Sequence, residues 1–108
     1  MSRAERAKGV RGEREVLDLY TRHGFTVRGL EASGDHLAFG YGLVHHVETK
    51  RQEIARPWAW LEQAESETPP GALTVVAFRR SRSPWYALAA LDPLLAQLAS
   101  SPNGNAAR

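Results

Sequence analysis

The chain contains no cysteine. That excludes a disulfide-stapled secreted scaffold, a thiol nucleophile and any zinc site built on sulfur. No apolar run approaches the ~20 residues that span a bilayer, and the charged N-terminal stretch is not followed by the apolar segment of a secretory signal. The expected location is the cytoplasm. Lysine is scarce too: of 14 Lys+Arg, only Lys8 and Lys50 are Lys. With 108 residues, 43% of them hydrophobic, the chain has material for one core and not for two. A domain of this size buries only about two-thirds of its unfolded surface, so a partner subunit would help it. Residues 1–99 are read as a single domain and residues 100–108, small and polar, as a flexible C-terminal tail.

The net charge of +2 conceals an uneven distribution. Between Met1 and Arg14, five cations (Arg3, Arg6, Lys8, Arg11, Arg14) stand against Glu5 and Glu13, and Arg79, Arg80 and Arg82 form a second cluster. Forked guanidinium donors match phosphate oxygens, so both clusters suit a polyanion such as nucleic acid. A solvated face carries such runs as well.

Hydrophobic periodicity orders the chain as helix, three strands, helix, two strands, helix, which is a mixed α/β layer fold. The first helix runs from about Ala4 to His23, with Val16, Leu17 and Tyr20 on one stripe and Gly24 placed to end it. Glu13 continues that stripe, so a carboxylate is expected to face inward or into a cleft. Phe25 to Arg28 reads as a short strand, followed by a loop from Gly29 to Gly34. His36–Tyr41 and Leu43–Lys50 flank Gly40 and Gly42 and read as a hairpin. Pro57 opens a helix reaching about Glu67, with Trp58 and Leu61 on one stripe and Trp60 and Ala64 on another, until Pro69-Pro70-Gly71 stops it. All three Trp are assigned to packing rather than to stacking on bases. Leu73–Phe78 is a continuous apolar run suited to a central strand. Trp85–Ala90 reads as a last strand and Leu91–Ala99 as a last helix.

One group of residues points to chemistry. Alternation along the second hairpin strand puts Val44, His46, Glu48 and Lys50 on one face and Leu43, His45, Val47 and Thr49 on the other. Glu48 and Lys50 are therefore neighbours. A magnesium-type cation wants hard oxygen ligands in octahedral geometry. Asp35, Glu48 and the Thr49 carbonyl between Glu48 and Lys50 could supply three, with Glu13 completing the shell directly or through water. Such an ion lowers the pKa of an attacking water and neutralises phosphate charge, while Lys50 orients that water or stabilises the transition state. Glu-x-Lys alone is usually an exposed pair on a strand. Against that stand a Lys in a chain that otherwise chooses Arg, a face shared with Val44, and a glutamate interrupting a core stripe. His45 and His46 point to opposite faces and cannot jointly chelate one ion. His46 lies on the Glu48 face, within reach of the site, whereas His23 and His36 are assigned no chemistry.

The pattern Lys8-Gly9, Gly12-Glu13-Arg14-Glu15, His23-Gly24-Phe25, Ser33-Gly34-Asp35 and Val47-Glu48-Thr49-Lys50 resembles the archaeal type of Holliday junction resolvase, in the PD-(D/E)xK nuclease superfamily. The likeness extends from about Lys8 to the last helix. Trp58–Ala64, Val76–Arg80 and Pro84-Trp85-Tyr86 are similar to small phage and bacterial members. Gly34 stands where a proline often precedes the aspartate, and His36 where an apolar residue is usual.

This resemblance implies a restriction-endonuclease-like core, a central mixed five-stranded sheet flanked by helices. It also implies Glu13, Asp35, Glu48 and Lys50 as catalytic residues, and Mg2+, replaceable by Mn2+, held by Glu13, Asp35, Glu48 and Thr49. The implied enzyme is a homodimer acting in DNA recombination and repair. Its two sites nick opposed strands of a four-way junction, leaving 5′-phosphate and 3′-hydroxyl ends. Ser33 would lie near the scissile phosphate and Gln63 would be a supporting polar residue. Junction shape would be read through phosphates. The expected DNA contacts are Arg3, Arg6, Lys8, Arg11, Arg14, Ser33, Arg51, Arg56, Gln63, Arg79, Arg80 and Arg82. Two alternatives stay open: a nuclease of the same fold acting on flap, nicked or duplex DNA, and a catalytically idle DNA-binding module.

Overall fold

The computed structural model describes residues 3–30 and 35–100. Ser33 and the tail beyond Ser100 lie outside them. The elements follow the expected order: α1 (Arg3–Arg22), β1 (Thr26–Gly29), β2 (His36–Gly40), β3 (Leu43–Arg51), α2 (Pro57–Glu67), β4 (Leu73–Arg79), β5 (Tyr86–Leu88) and α3 (Leu91–Ser100). The five strands form one sheet in the order β1-β2-β3-β4-β5. All neighbours are antiparallel except β3 and β4, which run parallel because α2 carries the chain back between them.

Local chemistry sets the boundaries. Gly24, at φ +91°, takes the left-handed position that ends α1. The β2–β3 hairpin turns through Tyr41 (φ 56°) and Gly42 (φ 74°), the pair of positive dihedrals that a two-residue turn between twisted strands requires. Tyr41 tolerates that conformation because its hydroxyl donates to the His23 carbonyl at 2.6 Å, tying the hairpin to the end of α1.

Both faces of the sheet are covered. On one, Val16 of α1 packs with Ala38, Val47 and Ala77, with Tyr20, Phe25, Val27 and Trp85 around them. On the other, Trp60 and Ala64 of α2 pack on Val76, beside Leu61, Phe78 and Leu88. β4 contributes to both cores at alternate positions, which is why its sequence is apolar without a break. The two expected apolar stripes of α2 are covered unequally: Trp60 and Ala64 are buried, Leu61 of the other stripe packs at the edge of the core, and Trp58 stands out of it. Trp60 is 4% exposed and Trp58 80%, because a helix lying on a sheet presents one face to it. The assignment of Trp58 to packing is thereby corrected.

His45, on the α1 face, is a structural residue. Its Nδ1 accepts from the Tyr20 hydroxyl at 2.8 Å, and its Nε2 meets Oε1 of Gln97 at 3.1 Å, which holds α3 against β3. Gln97 Nε2 completes the tie by donating to the Val44 carbonyl. No helix among the described residues is long and apolar enough to cross a membrane.

Candidate active site

The strand register assembles the site. His36 pairs with Val47 in the antiparallel β2–β3 ladder, so Asp35, just before β2, falls opposite Glu48 on the α2 face. Two carboxyl groups thirteen residues apart in sequence are thereby placed side by side. Both are buried, Asp35 8% and Glu48 6% exposed. The next residue on this face in each direction along β3 is His46, fully buried, and Lys50.

Each of these groups is held by another. Lys50 Nζ lies 3.3 Å from Glu48 Oε1 and 3.5 Å from Oε1 of Gln63 on α2. His46 Nε2 lies 3.0 Å from Asp35 Oδ2, and its Nδ1 bonds Thr68 Oγ1 at 2.8 Å. Glu67, the last residue of α2, joins from above: donor atoms of Asp35, His46 and Glu67 all lie within 4.8 Å of one another.

So many acids in one buried place cannot all be ionised without a cation. Burial, followed by the charge of Glu48 and hydrogen bonds with Glu67 and Glu48, pushes the Asp35 carboxyl up to about 8. Burial also lowers the His46 pKa, against the pull of the Glu48 and Glu67 charges. Glu48 Oε2 is buried without a hydrogen-bond partner. Desolvated carboxylate oxygens in this arrangement suit a divalent ion, which would relieve their repulsion and satisfy that orphaned acceptor.

Glu13 is placed differently. It is half-buried on α1, which covers the other face of the sheet, and it stands outside the Asp35–His46–Glu67 group. It does share a cleft of about 650 Å3 with Thr49 and Lys50, where β3 ends. Arg6, Lys8 and Arg51 line the same cleft, so its walls carry four cations with Lys50.

The remaining basic residues fall into three settings. Arg3, Arg11 and Arg14 are exposed along α1, and Arg56 is exposed at the N-cap of α2. Arg80 and Arg82 are exposed around the turn after β4, and Arg80 borders a second pocket of about 330 Å3 with Phe78 and Tyr86. Arg79 is engaged within the fold: its Nη1 donates to Glu15 at 2.9 Å and its guanidinium stacks on Trp85. Lys8 reaches Glu53 at 3.5 Å, and Glu53 also accepts from Ser81, which ties the loop after β3 to the loop after β4.

Two members of the cluster were less legible than the rest. His46 could be assigned to the Glu48 face by alternation but not to a contact with Asp35. Glu67 carried no local signal, because its position depends on how α2 crosses the sheet.

No family model and no curated protein sequence matches the chain. Among solved structures, it is similar to Hjc of Archaeoglobus fulgidus, a Holliday junction resolvase from an archaeal hyperthermophile. The TM-score is 0.62 and the identity 23%, covering 76% of this chain and 72% of that one. A likeness at this identity establishes the fold: a mixed five-stranded sheet flanked by three helices, the architecture implied by the motifs.

Proposed function

We propose that this protein is a metal-dependent, structure-selective endodeoxyribonuclease that resolves four-way DNA junctions by paired phosphodiester hydrolysis. The observation that carries this reading is the convergence of Asp35 and Glu48 beside Lys50, at a cleft lined by Arg6, Lys8 and Arg51.

In this reading Asp35, Glu48 and the Thr49 carbonyl hold Mg2+, or Mn2+ in its place, and Glu13 reaches the site from α1 directly or through water. The ion, when bound, supplies positive charge beside the scissile phosphate and acidifies a water. Lys50 is held by Glu48 and Gln63 on a strand, so its ammonium meets the phosphoryl oxygens at a fixed place and opposes the charge that develops there. Water oxygen bonds to phosphorus, the bond from phosphorus to the 3′ oxygen breaks, and a proton goes to that oxygen. The ends are a 5′-phosphate and a 3′-hydroxyl.

Arg6, Lys8 and Arg51 bind phosphates inside the cleft, and Arg3, Arg11 and Arg14 extend the track along α1. Arg56, Arg80 and Arg82 offer further contacts, and Arg79 chiefly braces the fold through Glu15. Residues 1–99 act as one nuclease domain with residues 100–108 as its tail. The protein works as a homodimer in the cytoplasm, each subunit cutting one of two opposed strands.

Labelled four-way junction, duplex, flap and Y-shaped DNA, each incubated with the protein and Mg2+, test this. Paired symmetric cuts across the junction are expected. Cutting confined to flaps or duplex would reassign the substrate within the same fold, and DNA binding with no wild-type cleavage would leave a binding module only.

A further inference from the structure

The buried cluster contains more donors than the cleavage chemistry above uses. The Ala64 carbonyl can only accept, so the Thr68 hydroxyl proton goes to it, at 2.7 Å. The Thr68 oxygen is then left to accept from the Thr74 hydroxyl at 2.6 Å and from Nδ1 of His46 at 2.8 Å. In a neutral imidazole protonated at Nδ1, Nε2 presents a bare lone pair.

That nitrogen belongs to a side chain with no exposed surface, and it has no hydrogen-bond partner. It points at Asp35 Oδ2, 3.0 Å away. A bare imidazole nitrogen and a carboxyl oxygen at that distance need something positive between them: the Asp35 proton fills that role in the metal-free chain, and a cation can take its place. A cation ~2.1 Å from each, the usual bond length to nitrogen and oxygen donors, would see the two atoms about 90° apart, the angle between neighbouring positions of an octahedron. Glu67 lies close enough to supply a third donor from the solvent side.

We infer that Asp35, His46 and Glu67 form a mixed nitrogen and oxygen site for a divalent transition-metal ion, adjoining the Glu48–Lys50 pair through Asp35. Imidazole favours the later first-row ions over Mg2+, so the site selects Co2+, Ni2+ or Zn2+ rather than the harder ion. The Thr68 and Thr74 hydroxyls fix the His46 tautomer and ring orientation, as outer partners do for metal-bound histidines. For what the ion does, though not for where it binds, this inference rests on the nuclease reading.

The test is one equivalent of Co2+ added to the full chain and followed by proton NMR. A cobalt-bound His46 shifts its own Nδ1 proton far outside the protein envelope, and that signal vanishes in D2O. The expected result is one such exchangeable resonance that persists with Mg2+ in excess, is lost in His46→Gln and is retained in His36→Gln. Glu67 is exposed, so Glu67→Gln leaves the core intact, and it should weaken Co2+ binding by ~10-fold or more. Absence of the resonance in the wild-type chain, its survival in His46→Gln, or unchanged Co2+ affinity in Glu67→Gln would each overturn the site. Cleavage of DNA in Mg2+ without the resonance removes the nitrogen ligand and spares the nuclease reading. The resonance without cleavage supports the site and counts against that reading.

Discussion

Asp35 is buried beside two other acids, and its folded-state pKa of about 8 lies far above the ordinary aspartate value. Between about pH 4 and that value the folded chain holds a proton that the unfolded chain has released, so metal-free stability falls as pH rises across this window. His46, with its lowered pKa, acts in the opposite sense as it titrates. Urea unfolding in the presence of a chelator should therefore show the wild-type midpoint decreasing toward pH 8 and a flatter profile for Asp35→Asn. Parallel profiles would mean that Asp35 is an ordinary ionised carboxylate. The pairing of Glu48 with Lys50 was legible in the sequence, since strand alternation alone makes them neighbours. The contact of Asp35 with Glu48 needed the hairpin register as well, and Gly40 and Gly42 flanking Tyr41 made that register readable.

The two stripes of α2 were equally apolar in sequence, and only the sheet decides which of them is covered. Trp60→Ala should cost ~3–5 kcal/mol, as for other buried aromatics, while Trp58→Ala should stay within ~0.5 kcal/mol, as measured by chemical denaturation. Equal losses would place both rings in the core. Among the described side chains of α1, the first buried residue is Gly12, and Arg3, Arg6 and Arg11 before it are exposed, so these cations are open to a polyanion. Removing the charges of Arg6 and Arg11 should lower the salt dependence of junction binding by about 1 to 2 in the log–log slope, close to one released counterion per phosphate contact. An unchanged slope would move the DNA track off this helix. The inward lean of Glu13 was readable from the stripe it interrupts, but its separation from the Asp35 group was not. That depends on α1 and the acids lying on opposite faces of the sheet.

At the scale of the whole molecule, the order of helices and strands followed from periodicity, from Pro57, and from the Gly and Pro stops. The central place of β4 followed from its continuous apolar run, and the mixed five-stranded sheet was what the resemblance implied. What sequence spacing could not supply was Glu67, whose carboxyl meets Asp35 only because α2 carries the chain from β3 across to β4 before it ends there. The fold thus concentrates acids from the start of β2, from β3 and from α2 next to one lysine, at the end of a cleft lined by Arg6, Lys8 and Arg51 together with Glu13 and Glu53. Single-turnover cleavage of a four-way junction, with junction affinity measured alongside, tests whether this concentration is catalytic. Asp35→Asn and Lys50→Ala should each retain junction binding and lose ~10²-fold or more in cleavage rate, the scale of removing one stabilising group from a transition state. Cleavage at the wild-type rate in either variant would contradict the assignment of hydrolysis to this cluster.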